Sequence, residues 1–307
     1  MSQATTDSRD HGLPNLAKPP RLSIALVTRN RPAYLERCLR SWRSQAVQPF
    51  EIVVSDDSDA DVAPESERLA REFDCVYIAG PKRGLYANRN HAFCHCRGSH
   101  VMSADDDHTH PPDFVASIIA CIQQDPQAVW TVGERPGGRP EAPIGIPSEL
   151  RRNGTIGPPE DPAHSAAIAC GSTVYPRAVF DRGLRCDETY FFGGLWHLWG
   201  HQLRRAGFRI RHCAATFVWH HTESSDGRLN DAQWAAAQIE CGLYVQAVHA
   251  LHLSRSPVAL LRVGYSAMRL WMFGGGIYGR DITVRLSSRA ITRALGRAWH
   301  KRLTNPV

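Results

Sequence analysis

The sequence predicts an α/β fold: a mostly parallel, Rossmann-like sheet with flanking helices, followed by a C-terminal helical extension. Short apolar segments alternate with amphipathic segments of helical length through the first half of the chain, which is typical of a parallel sheet with right-handed crossovers. Two acidic clusters directly follow two of the predicted strands. Because ligands of such sheets bind beyond the carboxyl ends of the strands, we expect the functional site at that edge.

The predicted elements follow one another in a regular order. Residues 22–28 form a short apolar, partly β-branched run typical of a buried strand. Pro32 then begins a helix whose apolar residues recur at positions i, i+3, i+4 and i+7. The remaining predictions are strands at 51–54, 75–79, 100–104, 128–132, 169–175 and 208–218, and helices through Leu69 and Phe73, at 86–96, 114–122 and 197–206, and from 233 onwards.

The composition is that of an ordinary globular protein, with its positive charge concentrated at one end. Of the 307 residues, 43% are hydrophobic and 21% are charged, which allows a sizeable core. Residues 246–307 hold ten basic residues and one acid, so they carry a formal charge of +9 and the remainder carries −3. The nine cysteines include no CxxC pair, which disfavours a tetrahedral zinc site and indicates buried, reduced thiols.

An acidic triplet followed by a histidine ends the apolar strand at 100–104. Asp105, Asp106 and Asp107 are consecutive, and like charges this close repel one another unless a cation or solvent compensates them. Carboxylates of this kind hold Mg²⁺ or Mn²⁺ while leaving room for phosphate oxygens in the coordination shell. The triplet therefore favours a divalent metal site, with a solvated acidic turn as the alternative.

Four short motifs occur in the order and at the spacings expected of one β/α domain. They are Val-Thr-Arg-Asn-Arg-Pro (27–32), Ile-Val-Val-Ser-Asp-Asp-Ser (52–58), Gly-Leu-Tyr-Ala-Asn-Arg-Asn (84–90) and Ala-Asp-Asp-Asp-His (104–108). Together they resemble the successive motifs of family 2 glycosyltransferases, which have the GT-A fold, over about residues 21–222. The resemblance implies an inverting, metal-dependent transfer of a sugar from a nucleotide-sugar to a saccharide, lipid-linked or small-molecule acceptor.

The resemblance also implies which residues bind the nucleotide-sugar. These are Thr28, Asn30, Arg31, Asp56, Asp57, Asn88, Arg89, Asp105 and Asp106. One carboxylate of the pair at 56–57 would accept the imide N–H of uracil, which favours a UDP-sugar, although the glycine usual before the serine of this motif is absent. Arg89 stands near a helix N-terminus, where both the guanidinium and the helix dipole attract anions.

The metal ligands implied by the resemblance come from two distant segments. Asp107 completes the DxD-like triplet, and a histidine after a late strand of the family often adds a ligand. His220 matches that placement. The expected cofactor is Mn²⁺ or Mg²⁺, held by Asp107 and His220.

We expect three parts along the chain. Residues 1–20 are polar and lack the apolar stretch of a signal peptide, which indicates a disordered leader. Residues 21–232 would be the GT-A domain, with a nucleotide-binding half (21–133) and an acceptor half (134–232), and residues 233–307 a basic helical extension. Within the acceptor half, seven prolines and five glycines between 136 and 162 exclude regular structure and indicate either a surface loop or a mobile flap.

The general base departs from the family pattern. The acidic pair that normally supplies it falls at Leu195-Trp196 in this sequence, and neither side chain can accept a proton. Three alternatives remain open: Asp187 or Glu188 serves from just upstream, His197 serves instead, or turnover has been lost. The last alternative describes a catalytically impaired nucleotide-sugar-binding protein of the same fold.

The basic tail suggests where the protein acts. Five cations recur every fourth residue between 285 and 301, and such a stripe weakens an isolated helix, so an acidic partner would help it to form. Anionic membrane lipids are one candidate partner and a solvated basic helix is the other. We expect a cytoplasmic protein, attached peripherally to the inner face of the plasma membrane, and no nucleic-acid partner, because no aromatic platform interleaves the cations.

Overall fold

The computed structural model describes residues 19–221, 231–276 and 283–301, so the predicted leader lies almost entirely outside the described residues. The α-helices are α1 (Pro32–Arg43), α2 (Ala63–Glu72), α3 (Leu85–His95), α4 (Phe114–Gln124), α5 (Ala178–Asp181), α6 (Trp196–Arg205), α7 (Asp231–Val248), α8 (Pro257–Met272) and α9 (Ser288–Trp299). The strands are β1 (Leu22–Thr28), β2 (Glu51–Asp56), β3 (Val76–Ala79), β4 (His100–Asp105), β5 (His108–Thr109), β6 (Val129–Pro136), β7 (Glu149–Leu150), β8 (Ile156–Gly157), β9 (Thr173–Pro176), β10 (Ile210–His220), β11 (Gly275–Gly276) and β12 (Thr283–Val284).

The main sheet has eight strands in the order β3-β2-β1-β4-β9-β6-β10-β5. Strands β1 to β4 pair in parallel, and so do β6 and β10. β9 runs antiparallel to both β4 and β6, and β5 runs antiparallel to β10. The carboxyl ends of β1, β2, β4, β6 and β10 therefore meet at one edge of the sheet, which confirms the predicted mostly parallel α/β class.

Alternation along the strands sorts the apolar residues into two cores. In β1, Ala25 and Val27 face a core that includes α3, α6 and the C-terminal helices. Leu22, Ile24 and Leu26 face the opposite core, which includes α1, α2 and α4. Helices thus cover both faces of the sheet, as a parallel arrangement requires.

The segment between 136 and 162 contains more regular structure than its composition predicts. β7 and β8 form a small antiparallel hairpin, and Pro162–His164 is a short 3-10 helix. Leu150 of the hairpin is fully buried, and its carbonyl accepts a hydrogen bond from His201 Nε2 at 2.8 Å. The expectation of wholly irregular structure was wrong, because two-residue strands are too short to produce a periodic sequence pattern.

The C-terminal helices share a core with α6 and with one face of the main sheet. The small residues Ala290, Ala294 and Ala298 form the buried stripe of α9, and they belong to the same apolar cluster as Leu198 of α6 and Tyr244 of α7. No described helix is long and apolar enough to cross a membrane.

The basic stripe of α9 finds acidic partners inside the chain. Arg293 donates two hydrogen bonds to Glu240 of α7, and Lys301 Nζ lies 2.9 Å from Asp187 Oδ2. Arg297 stacks over the ring of Tyr190 at 5.0 Å. Acidic partners that help such a helix to form are thus supplied by the same molecule for Arg293 and Lys301.

We expect Arg293→Ala to lower the free energy of unfolding by about 1–2 kcal/mol, because it leaves the buried carboxylate of Glu240 without its cation. This is below the full value for a buried pair, since the Arg293 side chain is 47% exposed. Urea unfolding measures the change. Arg289→Ala, at an exposed position of the same helix, is the matched control and should unfold at the wild-type midpoint. Equal midpoints for both variants would contradict the assigned role of the ion pair.

Candidate active site

Polar residues from four parallel strands converge at the carboxyl edge of the sheet. Thr28 ends β1, Asp56 ends β2, Asp105 ends β4 and His220 ends β10. Cross-strand register places the first three of these residues at nearly the same height along the sheet edge, since Thr28 is paired with Asp56 and Val27 with Asp105. The fold therefore gathers here most of the residues that the sequence predicts for nucleotide and metal binding.

Asp106 is the fully buried centre of the acidic triplet. Thr28 Oγ1 donates to its Oδ2 at 2.7 Å, and Arg31 binds both of its carboxylate oxygens through Nε and Nη2. Burial raises the pKa of Asp106, whereas the Arg31 charge opposes that rise. Arg31 also reaches Asp107, with Nη1 3.1 Å from Oδ2. The arginine predicted for the nucleotide thus contacts two members of the triplet.

Asp105 is paired with a buried arginine on the other side of the triplet. Arg89 Nη2 of α3 lies 2.5 Å from Asp105 Oδ1, and Arg89 is only 2% exposed. Among the described residues, Nε and Nη1 of Arg89 have no hydrogen-bond partner. Gly171 lies so close to Asp105 Oδ2 and to the His108 ring that an added Cβ would collide with both, so only glycine fits there.

A carboxylate and two imidazoles form a candidate metal cluster. Asp107, His108 and His220 place one ligand atom each within 4.8 Å of one another. His108 Nε2 lies 3.8 Å from Asp107 Oδ1, and His220 Nε2 lies 3.9 Å from Asp107 Oδ2. Burial alone would raise the pKa of Asp107, but the charges of His108, Arg31 and His220 hold it below its ordinary value.

Both imidazoles are oriented by bonds from their far nitrogens. His108 Nδ1 lies 3.3 Å from the carbonyl of Gly171, and His220 Nδ1 lies 3.1 Å from Glu134 Oε2. When each Nδ1 donates, each Nε2 is left as a lone-pair donor facing Asp107, as in metal sites with a supporting outer shell. Burial lowers the pKa of His220, but the bond to Glu134 and the charge of Asp107 raise it to about 9.

The residues predicted to bind the base line the ends of β1 and β2. Asp56 accepts hydrogen bonds from the Ser58 backbone and from the hydroxyl of Tyr77, at 2.9 and 3.1 Å. Asp57 Oδ1 accepts the backbone N–H of Lys82 at 2.8 Å, and burial raises the pKa of Asp57. Asn30, at φ 54°, donates through Nδ2 to the Asp59 carboxylate and accepts the backbone N–H of Asp59 at Oδ1. These contacts fix the conformation of the segments that follow β1 and β2.

Asn88 and Asn90 of α3 hold neighbouring segments rather than pointing into open space. Asn88 Nδ2 donates to the carbonyl of Ser55 at 3.0 Å, and its Oδ1 accepts from the Ser55 hydroxyl. Asn90 binds the backbone of Cys186 with both amide atoms and donates to Glu188 Oε1 at 2.8 Å. Asn88, predicted for the diphosphate or the base, therefore also ties α3 to β2.

The two candidate bases upstream of α6 have opposite surroundings. Asp187 is 5% exposed and is bound by Thr189, by the hydroxyl of Tyr244 at 2.7 Å and by Lys301. Burial raises its pKa, but Lys301, Thr189 and Tyr244 together hold that pKa below the ordinary value. The Glu188 side chain is 33% exposed, with Arg83 Nη2 3.3 Å from its Oε2. Of the two, Glu188 is the one accessible to an acceptor.

His197 is buried away from the acidic triplet. It is 6% exposed, and its Nδ1 has no hydrogen-bond partner among the described residues. Burial, reinforced by His201, lowers its pKa to about 4. The ring of His201 in turn stacks near that of His249 at 4.9 Å. This histidine group joins α6 to the hairpin and to the C-terminal helices.

Sequence reasoning missed His108, a member of the metal cluster, and Glu134, which orients His220. His108 follows the triplet directly, and the presence of a nitrogen ligand next to three acids could have identified it. Glu134 stands 86 residues before His220 and becomes its neighbour only through the pairing of β6 with β10, in which Glu134 is opposite Val218.

Comparisons with known proteins agree with this geometry. The sequence model described as "Glycosyl transferase family 2" matches residues 23–184, more than half of the chain. The GalNAc(5)-diNAcBac-PP-undecaprenol β-1,3-glucosyltransferase of Campylobacter jejuni is 32% identical over 92 residues, which are 29% of this chain and 30% of that enzyme. The matched segments span only 24% to 30% of the lengths of the curated relatives.

Two solved structures share the fold. TarS 1-349 of Staphylococcus aureus, in complex with UDP-GlcNAc, has a TM-score of 0.55 at 16% identity over 82% of this chain and 71% of that chain. The mannosyltransferase PcManGT of Pyrobaculum calidifontis, in complex with GDP-Man and Mn²⁺, has a TM-score of 0.56 at 15% identity over 92% of this chain and 74% of that chain. The predicted GT-A fold is confirmed.

We expect Glu134→Gln to weaken Mn²⁺ binding by about 10- to 100-fold, because the carboxylate orients the His220 ring and makes it a better ligand. Isothermal titration with Mn²⁺ measures the affinity. Glu141→Gln, at an exposed position of the following segment, is the matched control. Equal Mn²⁺ affinities for Glu134→Gln and wild type would show that Glu134 does not act on the metal site.

Proposed function

Because the chain belongs to glycosyl transferase family 2, we propose that it transfers a sugar from a nucleotide-sugar to an acceptor hydroxyl with a divalent cation as cofactor. The observation that carries this proposal is the convergence of Asp107, His108 and His220 at the carboxyl edge of the sheet, beside two arginine–aspartate pairs. The solved structures of TarS with UDP-GlcNAc and of PcManGT with GDP-Man and Mn²⁺ support it.

The three candidate ligands, Asp107, His108 and His220, fit a cation that keeps open coordination positions. Octahedral ligands at about 2.1 Å lie roughly 3 Å apart when adjacent and about 4.2 Å when opposite, so ligand atoms within 4.8 Å of one another need only small side-chain movements. One carboxylate and two imidazoles favour Mn²⁺ over Mg²⁺, which prefers oxygen and water. The bound cation supplies stabilisation of the negative charge on the departing diphosphate.

The arginines prepare the site for an anionic donor. Arg89 is buried with only one nitrogen engaged by Asp105, so a phosphate oxygen would complete its hydrogen bonding. Arg31 bridges Asp106 and Asp107 and keeps the triplet compatible with the fold. Asp56 and Asp57, at the end of β2, would hold the base, and a UDP-sugar suits these carboxylates because uracil offers an imide N–H.

Glu188 is the base that the contacts favour. Two adjacent residues of α3 connect Glu188 with the acidic triplet. Arg89 binds Asp105 of the triplet, and Asn90 binds Glu188. The Glu188 side chain is accessible and retains acceptor capacity beyond Asn90 and Arg83. Glu188 would take the proton of the acceptor hydroxyl as the hydroxyl oxygen attacks the anomeric carbon and the nucleoside diphosphate departs. A single in-line displacement of this kind inverts the anomeric configuration.

A binding protein without turnover is the second candidate function. The observation that favours it is the start of α6, where the completely buried Leu195 and the half-buried Trp196 occupy the place of the family's acidic pair. Such a protein would bind the donor and the cation but would neither transfer nor hydrolyse the sugar in the presence of any acceptor.

We expect Asp107→Asn to abolish the Mn²⁺-dependent part of donor binding, because it removes the charged ligand shared by both histidines. A thermal-shift panel of UDP-, GDP- and dTDP-sugars, with and without Mn²⁺, measures donor and metal together. Asp113→Asn, outside the cluster, is the control. A wild-type response of Asp107→Asn to sugar-nucleotide and Mn²⁺ would refute the proposed metal site.

We expect Glu188→Gln to lower kcat by about 10²- to 10⁴-fold with little effect on donor affinity, because only proton removal is lost. Asp187→Asn should instead lower the unfolding midpoint, since Lys301 loses its buried partner. Initial rates of transfer and thermal unfolding of both variants separate the two roles. Unchanged transfer by Glu188→Gln excludes Glu188 as the base, and absence of transfer by the wild-type protein across a broad acceptor panel favours the binding protein.

A further inference from the structure

Helix α8 presents an apolar face to the outside of the molecule. Ala259, Val263 and Leu270 point into the core. On the opposite side, Leu261 is 76% exposed and Tyr265 is 60% exposed. Further exposed apolar residues of this helix are Val258, Leu260, Met268 and Trp271. Large contiguous apolar faces are rare on monomeric proteins and mark sites of interaction.

The charged residues of α8 itself are both arginines. Arg262 and Arg269 are one heptad apart, on the same side of the helix, and both are exposed. The sequence from Cys241 to Gly276 contains no acidic residue. Arginine side chains can lie along an apolar surface while their guanidinium groups reach a polar layer. Trp271 and Tyr265 combine an apolar ring with a polar group, as is typical of side chains at a membrane–water boundary.

We infer that the outward face of α8, together with Arg262 and Arg269, is a docking surface for a bilayer that contains anionic lipids. An amphipathic helix with aromatic and aliphatic residues on one side and arginines at its border lies in the plane of such an interface. A second copy of the chain fits less well, because a two-fold contact through α8 would bring arginines of equal charge together. The 16-residue helix is too short to cross a bilayer.

This surface differs from the cationic stripe that the sequence suggested between 285 and 301. Arg293 and Lys301 of that stripe are engaged by Glu240 and Asp187, so they are not available as a continuous lipid-binding row. α8 instead carries the apolar area that anchoring requires, with exposed Phe273 directly after its end.

The β7–β8 hairpin connects the α8 surface to α6. Arg262 Nε donates to the carbonyl of Asn153 at 3.1 Å, and Gly154 packs against Ala259. At its other end the hairpin bonds to His201 of α6 through Leu150. A membrane bound at α8 would therefore lie on the side of the molecule that holds the hairpin and α6.

Vesicle co-sedimentation of the full chain tests the inference. We expect the protein to sediment with vesicles of phosphatidylcholine and phosphatidylglycerol and to stay largely in solution with phosphatidylcholine alone. Leu261→Ser/Met268→Ser should reduce partitioning by at least about tenfold, because it removes two side chains that would be buried in the acyl boundary. Val47→Ser/Phe50→Ser, which alters two other exposed apolar residues, is the matched control and should sediment like the wild type.

Two further measurements keep the outcome unambiguous. Lipids brominated on their acyl chains should quench tryptophan fluorescence, and Trp271→Phe should lose most of that quenching while still sedimenting. Light scattering of the free protein reports a dimer, if one forms. Equal sedimentation of Leu261→Ser/Met268→Ser and wild type overturns the inference, as does equal binding to both vesicle types. The face would instead belong to a second copy of the chain if the wild type is a dimer that does not bind vesicles and if only the Leu261→Ser/Met268→Ser variant is a monomer. That result would also overturn the inference. The assays contain no donor or acceptor, so their result is independent of the proposed transfer.

Discussion

The site depends on how the four carboxylates in and around the candidate metal cluster are neutralised. They are Asp105, Asp106, Asp107 and Glu134. Two buried or half-buried arginines account for two of these charges, through the pairs of Arg89 with Asp105 and of Arg31 with Asp106. With His108 and His220 neutral, two negative charges remain, which is the charge of one divalent cation. Protonated imidazoles could balance the same charges, so cation and protons are alternative solutions to one electrostatic constraint.

The same constraint explains how the fold positions the chemistry. Parallel pairing brings the end of β4 beside the end of β1, where Asp106 receives both Thr28 and Arg31. β5 then turns back along β10 and places His108 opposite His220. An antiparallel β9 closes the gap between β4 and β6 and brings Gly171 against the cluster. Each reversal of direction thus adds a metal-site neighbour that a purely parallel sheet would lack.

Local sequence patterns were sufficient for the longer strands of the main sheet, for the family and for the placement of the acidic triplet at the end of β4. An apolar run such as Ile24 to Leu26 is recognisable without its partners, because burial alone determines its composition. The direction of β9 was not predictable, since an apolar strand has the same pattern whichever way it runs. The support of His220 by Glu134 depends on pairing between strands far apart in sequence. The acidic partners of Arg293 and Lys301 were not predictable either, because both partners lie far from these cations in the sequence.

Docking of the C-terminal helices bears directly on the proposed base. Asp187, the residue before Glu188, is held by Tyr244 of α7 and by Lys301 just after α9, while Asn90 of α3 holds Glu188 itself. The segment that carries the proposed base is therefore held by α3 on one side and by α7 and Lys301 on the other. Leu195 and Trp196 stand at the start of α6 in place of the family's acidic pair. A base supplied from the upstream segment therefore has to be held firmly, because catalytic geometry tolerates little displacement. The basic extension would thus serve the reaction by positioning Glu188, while α8 remains free to meet a membrane.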